Sequence, residues 1–239
     1  PPPLADPQTI IRRTFFDLIG LPPTPNELTH YRKLLEQPEG FPTLVDDLLA
    51  SPHYGERWGR HWLDVARYSD SNGADENKPY PLAWRYRNYV IKQFNLDTPY
   101  DTFVHQQIAG DLLKSSSADQ YNDHINATTF LALGVKIDAE QDPVKKRSDI
   151  IDEQIDTIGR TFLGVTVGCA RCHDHKFDPF TTKDYYAMAG VMKSTQLMNI
   201  SLKSAEQPIL IARNHELTME RENLLKQYGE RLGKTAQQN

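Results

Sequence analysis

Two thiols and an imidazole stand together in Cys169-Ala170-Arg171-Cys172-His173, and these are the only cysteines of the chain. Thiols three positions apart can each form a thioether to one vinyl group of the same porphyrin. The histidine that follows is then held under the ring, where it can ligate the iron axially. The pattern points to covalently bound haem c, with Cys169 and Cys172 as attachment points and His173 as the metal ligand. A disulfide-stapled scaffold is excluded, because two cysteines make one bridge at most. Two other readings stay open. Zinc held by Cys169, Cys172 and either His173 or His175 falls short of the four ligands of a structural site. A redox dithiol would want a βαβ setting that the chain does not show.

Other residues gather around this motif by type. His175 is too close to His173 in sequence to reach the opposite face of a haem, so it is expected to bond a propionate or to support the ligand from behind. Arg171, with Arg67, Arg85 and Arg87, offers guanidinium forks that suit propionate carboxylates. Met188, Met192 and Met198 follow the motif and are weighed as axial thioethers against core filling, which methionine also suits. Farther away, Arg57, His61, Asp64 and Tyr68 recur at i, i+4, i+7 and i+11, sharing one face of a helix beside an apolar face of Trp58, Trp62 and Val65. A carboxylate one turn from a histidine fixes an imidazole tautomer for ligation or base work. His61 is therefore expected to face the haem pocket with Asp64 on its other ring nitrogen, against the alternative of a buried structural histidine. The loop Asp70-Ser-Asn-Gly-Ala-Asp75 carries oxygen ligands without the EF-hand spacing, and reads as a capped loop bordering a cleft.

The elements that must position these groups read as helix after helix, with Pro and Gly punctuation and almost no alternating strand pattern. Asp6-Pro7 caps a first helix with an apolar stripe at Ile10, Ile11, Phe15, Leu18 and Ile19, stopped by Gly20. Thr24-Pro25-Asn26-Glu27 is a capping box for a second, running to about Glu36. Ser51-Pro52 opens a third, to about Tyr68. Others are expected from near Pro81 through Phe94, from Thr102 to Leu113 behind Asp101, from Arg147 to Leu163, and from Thr182 to Met192. Polar loops are expected at Asp70 to Pro79 and Lys114 to Asp123. Beyond about Ser201 the composition changes, with a short extended piece at Glu206 to Ile211 and a polar helix from Leu217 to Leu232. Residues 1–200 thus form one domain, and 201–239 a peripheral tail or the start of a further domain.

Composition sets limits on function. The 239 residues are ample for a core, and 27 Lys and Arg against 32 Asp and Glu give a net charge of −5. A duplex nucleic-acid binder would carry a basic excess instead. No apolar run approaches the roughly 20 residues that span a bilayer. The opening Pro1-Pro2-Pro3 reads as a processed start.

Several long motifs occur in order: Phe15-Phe-Asp-Leu-Ile-Gly-Leu-Pro-Pro-Thr-Pro25, Arg57-Trp-Gly-Arg-His-Trp-Leu-Asp-Val-Ala-Arg-Tyr68, Ala83-Trp-Arg-Tyr-Arg87, Ala109-Gly-Asp-Leu-Leu113 and Gly168-Cys-Ala-Arg-Cys-His-Asp-His-Lys-Phe-Asp-Pro179. Together they resemble the planctomycete-type cytochrome c-like domain family, from about Ile11 to Thr195. The resemblance implies a large secreted bacterial haem c protein, in a periplasmic or exported location, with links to polysaccharide degradation. The expected fold is mainly α, an irregular multi-helix c-type haem domain with long loops. The first functional expectation is an oxidoreductase or electron-transfer domain passing electrons to a redox partner protein or a further haem domain. The second is a haem-dependent dehydrogenase acting on a carbohydrate, sugar or polysaccharide fragment, with His61 and Asp64 as catalytic residues taking the substrate proton. The third is a structural haem or zinc module without turnover.

Overall fold

Proline behind a capping side chain opens four of the helices, because a first-turn residue has no intrahelical N–H partner to lose. Asp6 caps α1 (Pro7–Leu18), Thr24 caps α2 (Pro25–Leu34), Ser51 caps α4 (Pro52–Val65) and Asp142 caps α8 (Pro143–Ile158). At Thr24 the box is reciprocal: Glu27 N donates to Thr24 Oγ1, and Thr24 N donates to Glu27 Oε2 at 2.7 Å. A second box, Thr181 with Asp184, opens α9 (Thr182–Lys193). The computed structural model describes residues 5–74, 76–137 and 139–203, together with Met219, Glu220 and Lys226. The remaining helices are α3 (Gly40–Leu49), α5 (Ala83–Asn95), α6 (Tyr100–Ala109) and α7 (Ala118–Thr128). The protein is mainly α; among the described residues the one extended pairing is an isolated bridge between Ser71 and Pro79.

One helix is added to the expected elements and three expectations are corrected. Helix α3 has no capping side chain to announce it, and forms because Leu44 and Leu48 bury one face. Helix α6 begins before Asp101, which lies in its first turn and not at its cap. The expected loop at Lys114 to Asp123 turns helical from Ala118, where only His124 and Ala127 are buried and so give little periodicity to read. Helix α8 starts four residues before Arg147, capped by Asp142 and not by a pattern of apolar residues. The expected pieces at Glu206 to Ile211 and Leu217 to Leu232 lie outside the described residues, apart from Met219, Glu220 and Lys226, which are helical.

The chain divides into two compact units, Pro1–Lys114 with Asp123–Ile200, and Ser115–Asn122 with Ser201–Asn239. In the second, Asn122 and Lys203 exchange two hydrogen bonds of 2.6 and 2.8 Å. The first holds three apolar clusters. Helices α1 to α3 pack around Ile11, Phe15, Leu44 and Leu48. Helices α4 to α6 enclose Trp62, Tyr86, Tyr89 and Phe103, tied by a buried chain in which Trp62 Nε1 donates to Tyr86 Oη and Tyr86 donates to Gln107 Oε1. The third cluster joins α8 and α9 through Ile151, Ile155, Tyr185 and Met192, and it carries the cysteine motif.

Candidate functional site

Helix α8 runs into a π turn at Gly159–Leu163, stops at Gly164 with φ +67, and the chain then forms a short 3-10 helix, Val167–Arg171. Three residues per turn bring positions i and i+3 into line. Val167 and Ala170 form one such line and are fully buried in the third cluster. Cys169 and Cys172 form another, and both are exposed, free thiols. Burial of one line thus turns the two sulfurs outward on the same side of the backbone.

His173 follows in the exposed loop. Its Nδ1 is 2.8 Å from the Asp174 carbonyl oxygen. A carbonyl only accepts, so Nδ1 carries the proton and the lone pair of a neutral ring rests on Nε2. Among the described residues Nε2 has no hydrogen-bond partner. Ligating histidines are held in this way, with the second nitrogen on a carbonyl or carboxylate. The loop itself is anchored, since Asp174 Oδ1 accepts from Thr182 N at 2.8 Å and His175 N donates to Phe180 O at 2.7 Å.

The other expected site residues divide. The His175 side chain is 7% exposed. Its Nδ1 accepts from Asp178 N at 3.0 Å, and its Nε2 lies 3.1 Å from Thr166 Oγ1. Both ring nitrogens are thus engaged within the chain. Arg171 donates to Asp152 Oδ2 at 3.1 Å, and Tyr185 Oη donates to Asp152 Oδ1 at 2.5 Å. The Asp152 carboxylate holds the Arg171 guanidinium above its usual value, and burial with that same carboxylate pushes the Tyr185 phenol up. Arg67 pairs with Glu153 and Arg85 lies over Trp84. Met192 is buried and Met188 packs on the same cluster, as core filling; Met198 is 70% exposed.

His61 and Asp64 do not assemble as expected. Both are exposed on α4, no hydrogen bond joins them among the described residues, and the His61 ring rests against Trp58 at 5.4 Å between centroids. The reason is the way α4 packs. Its buried line is Gly55, Gly59, Trp62 and Ala66, not Trp58, Trp62 and Val65, because the two glycines admit the backbone of α5. Trp58 sits at the margin, donating Nε1 to Leu18 O, and Val65 is exposed. The helix ends at Val65 and Arg67 takes φ +56, so Tyr68 leaves the shared face and bonds Asp70 instead.

A cleft of about 620 Å³ opens beside Cys169, lined by residues 135–137, one face of α8 and Gly168. Its volume is in the range of small-molecule sites. Asp149, Asp152, Glu153 and Asp156 recur along its α8 wall, largely neutralised by Lys145, Arg171, Lys136 and Arg160. Cys172, His173, His61 and Asp64 are not among its lining residues. Sequence reasoning missed Thr166, Asp152 and Tyr185, whose roles come from contacts with partners nine to 33 positions away.

Residues 1–197 match the family model PSCyt2, described as a protein of unknown function (DUF1549). The chain belongs to the PSCyt2 family. No curated protein and no solved structure matches it. In this PSCyt2 chain the donor set fits a covalently held haem: two exposed sulfurs in line, followed by an imidazole whose Nε2 is left open. Among the described residues no three or more His, Cys, Asp or Glu side chains are gathered that could hold a metal ion by themselves.

Proposed function

We propose that this PSCyt2 domain binds haem c covalently and acts as an electron-transfer module. The observation that carries the reading is the state of His173, with Nδ1 committed to the Asp174 carbonyl and Nε2 open, directly after two aligned exposed thiols. Bound haem supplies one-electron redox chemistry at iron. The chain's own residues do the rest. Cys169 and Cys172 bond the two vinyl groups, and His173 presents Nε2 to the metal. Asp174 fixes the ring's tautomer and direction, and the Val167–Ala170 line anchors the motif to α8 and α9. The partner in electron transfer is a redox protein or a further haem domain. Attachment of haem c takes place outside the bacterial cytoplasm, which makes the mature protein periplasmic or secreted; no helix of the described residues is long and apolar enough to cross a membrane. Proton abstraction from a sugar by His61 and Asp64 has no support in a geometry that leaves the two exposed and unjoined.

The test is retention of colour. Protein produced with a haem-attachment system should keep haem through acid–acetone extraction, and the Cys169→Ala/Cys172→Ala variant should lose it. A low-spin spectrum indifferent to cyanide and carbon monoxide fits electron transfer. Colourless wild-type protein with stoichiometric zinc by elemental analysis would falsify the haem reading.

A further inference from the structure

The two thiols of the motif are not equivalent. Cys169 Sγ lies 3.5 Å from Thr166 Oγ1, in hydrogen-bond contact for sulfur, whereas Cys172 Sγ has no hydrogen-bond partner among the described residues. Thr166 Oγ1 is in turn 3.1 Å from His175 Nε2. The His175 ring is held in place: Phe177 N and Asp178 N both donate to its Nδ1, at 3.3 and 3.0 Å. Backbone N–H groups only donate, so in the neutral ring Nδ1 is bare and Nε2 bears the proton. The Asp178 carboxylate also lies 3.2 Å from Nδ1, and a doubly protonated ring would still carry the Nε2 proton. Thr166 Oγ1 is therefore the acceptor in either state, with its rotamer set by a nearly buried imidazole.

We infer that Thr166, oriented by His175, is a positioning residue that holds the Cys169 thiol in one direction and leaves Cys172 to find its own. Its consequence for haem rests on the haem reading above; its consequence for the bare thiols does not. In thioether formation the S–H adds across the vinyl double bond. Sulfur bonds the inner vinyl carbon, the thiol proton goes to the terminal carbon, nothing leaves, and there is no net gain or loss of electrons. A sulfur already aimed loses less rotational freedom in reaching its vinyl group than one turning among three rotamers. The Thr166–His175 pair thereby secures attachment at Cys169, which is the first of the two cysteines and the one at the rim of the α8 cleft.

Arg171 lies between the two cysteines, so cleavage after it puts them on separate peptides and lets each be read by mass. In full-length chain made without haem, alkylation by iodoacetamide should be about 2- to 4-fold slower at Cys169 than at Cys172, the effect of one weak hydrogen bond. Thr166→Val, of nearly the same shape, and His175→Phe should bring the two rates together, and Thr166→Ser should keep them apart. Equal rates in the wild type, or a difference that survives Thr166→Val with helix content unchanged, overturn the inference. In haem-loaded protein the wild type should give both peptides joined through one haem. In Thr166→Val the share of chain with haem on the Cys172 peptide alone and Cys169 open to alkylation should rise about 2- to 4-fold; an unchanged share would overturn the attachment role. Wild-type chain that carries no haem at all removes the haem reading instead, and the alkylation rates then decide the positioning alone.

Discussion

His173 is exposed and makes one hydrogen bond of its own, to the carbonyl of the next residue. A side chain with so little packing can be removed without disturbing the core. On the proposed haem reading, His173→Ala should abolish or strongly perturb the Soret band while far-UV circular dichroism and the denaturation midpoint stay near wild type. A variant that keeps its Soret band would remove His173 from the iron. Glu153 is the opposite kind of residue. Its carboxylate pairs with Arg67 and with Lys136 Nζ at 2.9 Å, and the Lys136 side chain is only 9% exposed. Gly134, at φ +91, lies so close to the Arg67–Glu153 pair that a Cβ there would fall 2.3 Å from Glu153 Oε1. Glu153→Ala removes the carboxylate that the two cations share, leaving Asp156 as a weaker influence on Arg67, and breaking such a buried network costs up to roughly 3–5 kcal/mol. Urea unfolding should show a loss of that order; a change under about 0.5 kcal/mol, the size typical of a surface site, would show that the network is solvated.

Between helices, the contact of α4 with α5 depends on two glycines that are not equally constrained. A Cβ at Gly55 would sit 2.4 Å from the Ile91 carbonyl oxygen, a backbone atom, and 2.7 Å from Asn95. Gly55 N also donates to Asn95 Oδ1 at 2.7 Å, so the approach is tied by a hydrogen bond. At Gly59 the nearest atoms are side-chain carbons of Val90 and Ile91, at 3.4 and 3.6 Å. Gly55→Ala must push the helices apart, at a cost of about 1–3 kcal/mol for overpacking. Gly59→Ala meets ordinary contacts and gains up to about 1 kcal/mol of helix propensity. Thermal melts of the two variants should therefore move in different directions, or by clearly different amounts. A matching loss in both would mean that propensity and not contact governs this pair.

At the scale of the molecule, each apolar cluster holds at least one buried phenol. Tyr86 and Tyr89 lie in the central cluster and are pushed up by burial, and Tyr31, buried against Asp47, rises to about 12. In the unfolded chain these groups ionise near the ordinary phenol value of about 10. A folded value above the unfolded one gives stability that is whole below pH about 10 and lost as pH rises toward the folded values. The denaturation midpoint should thus be steady from about pH 7 to 9 and fall steeply beyond about pH 10. Exposed phenols such as Tyr100 and Tyr186 ionise in the folded protein, and a second fraction of tyrosinate absorbance should appear together with unfolding. A full tyrosinate signal at the ordinary pH in still-folded protein, with no later fraction held back until unfolding, would contradict the burial of these rings.

The helical class, the helix starts behind Asp6, Thr24 and Ser51, and the adjacency of Cys169, Cys172 and His173 were legible in the sequence because each depends on residues within a few positions. A capping side chain reaches the backbone three residues on, and the motif's thiols and imidazole are neighbours by covalent bonding alone. Helices α3 and α7 were not legible, since each is held by a few buried positions and not by a cap or a long apolar stripe. Tertiary packing decided which side of the 167–171 turn faces outward, through the burial of Val167 and Ala170 against α8 and α9. It also left His61 and Asp64 exposed, because the face that α4 buries follows from where α5 can approach Gly55 and Gly59. The role of His175 has the same origin. Its ring nitrogens meet Thr166 and the backbone of residues 177 and 178 only once the loop has closed, and spacing along the chain carries no record of that contact.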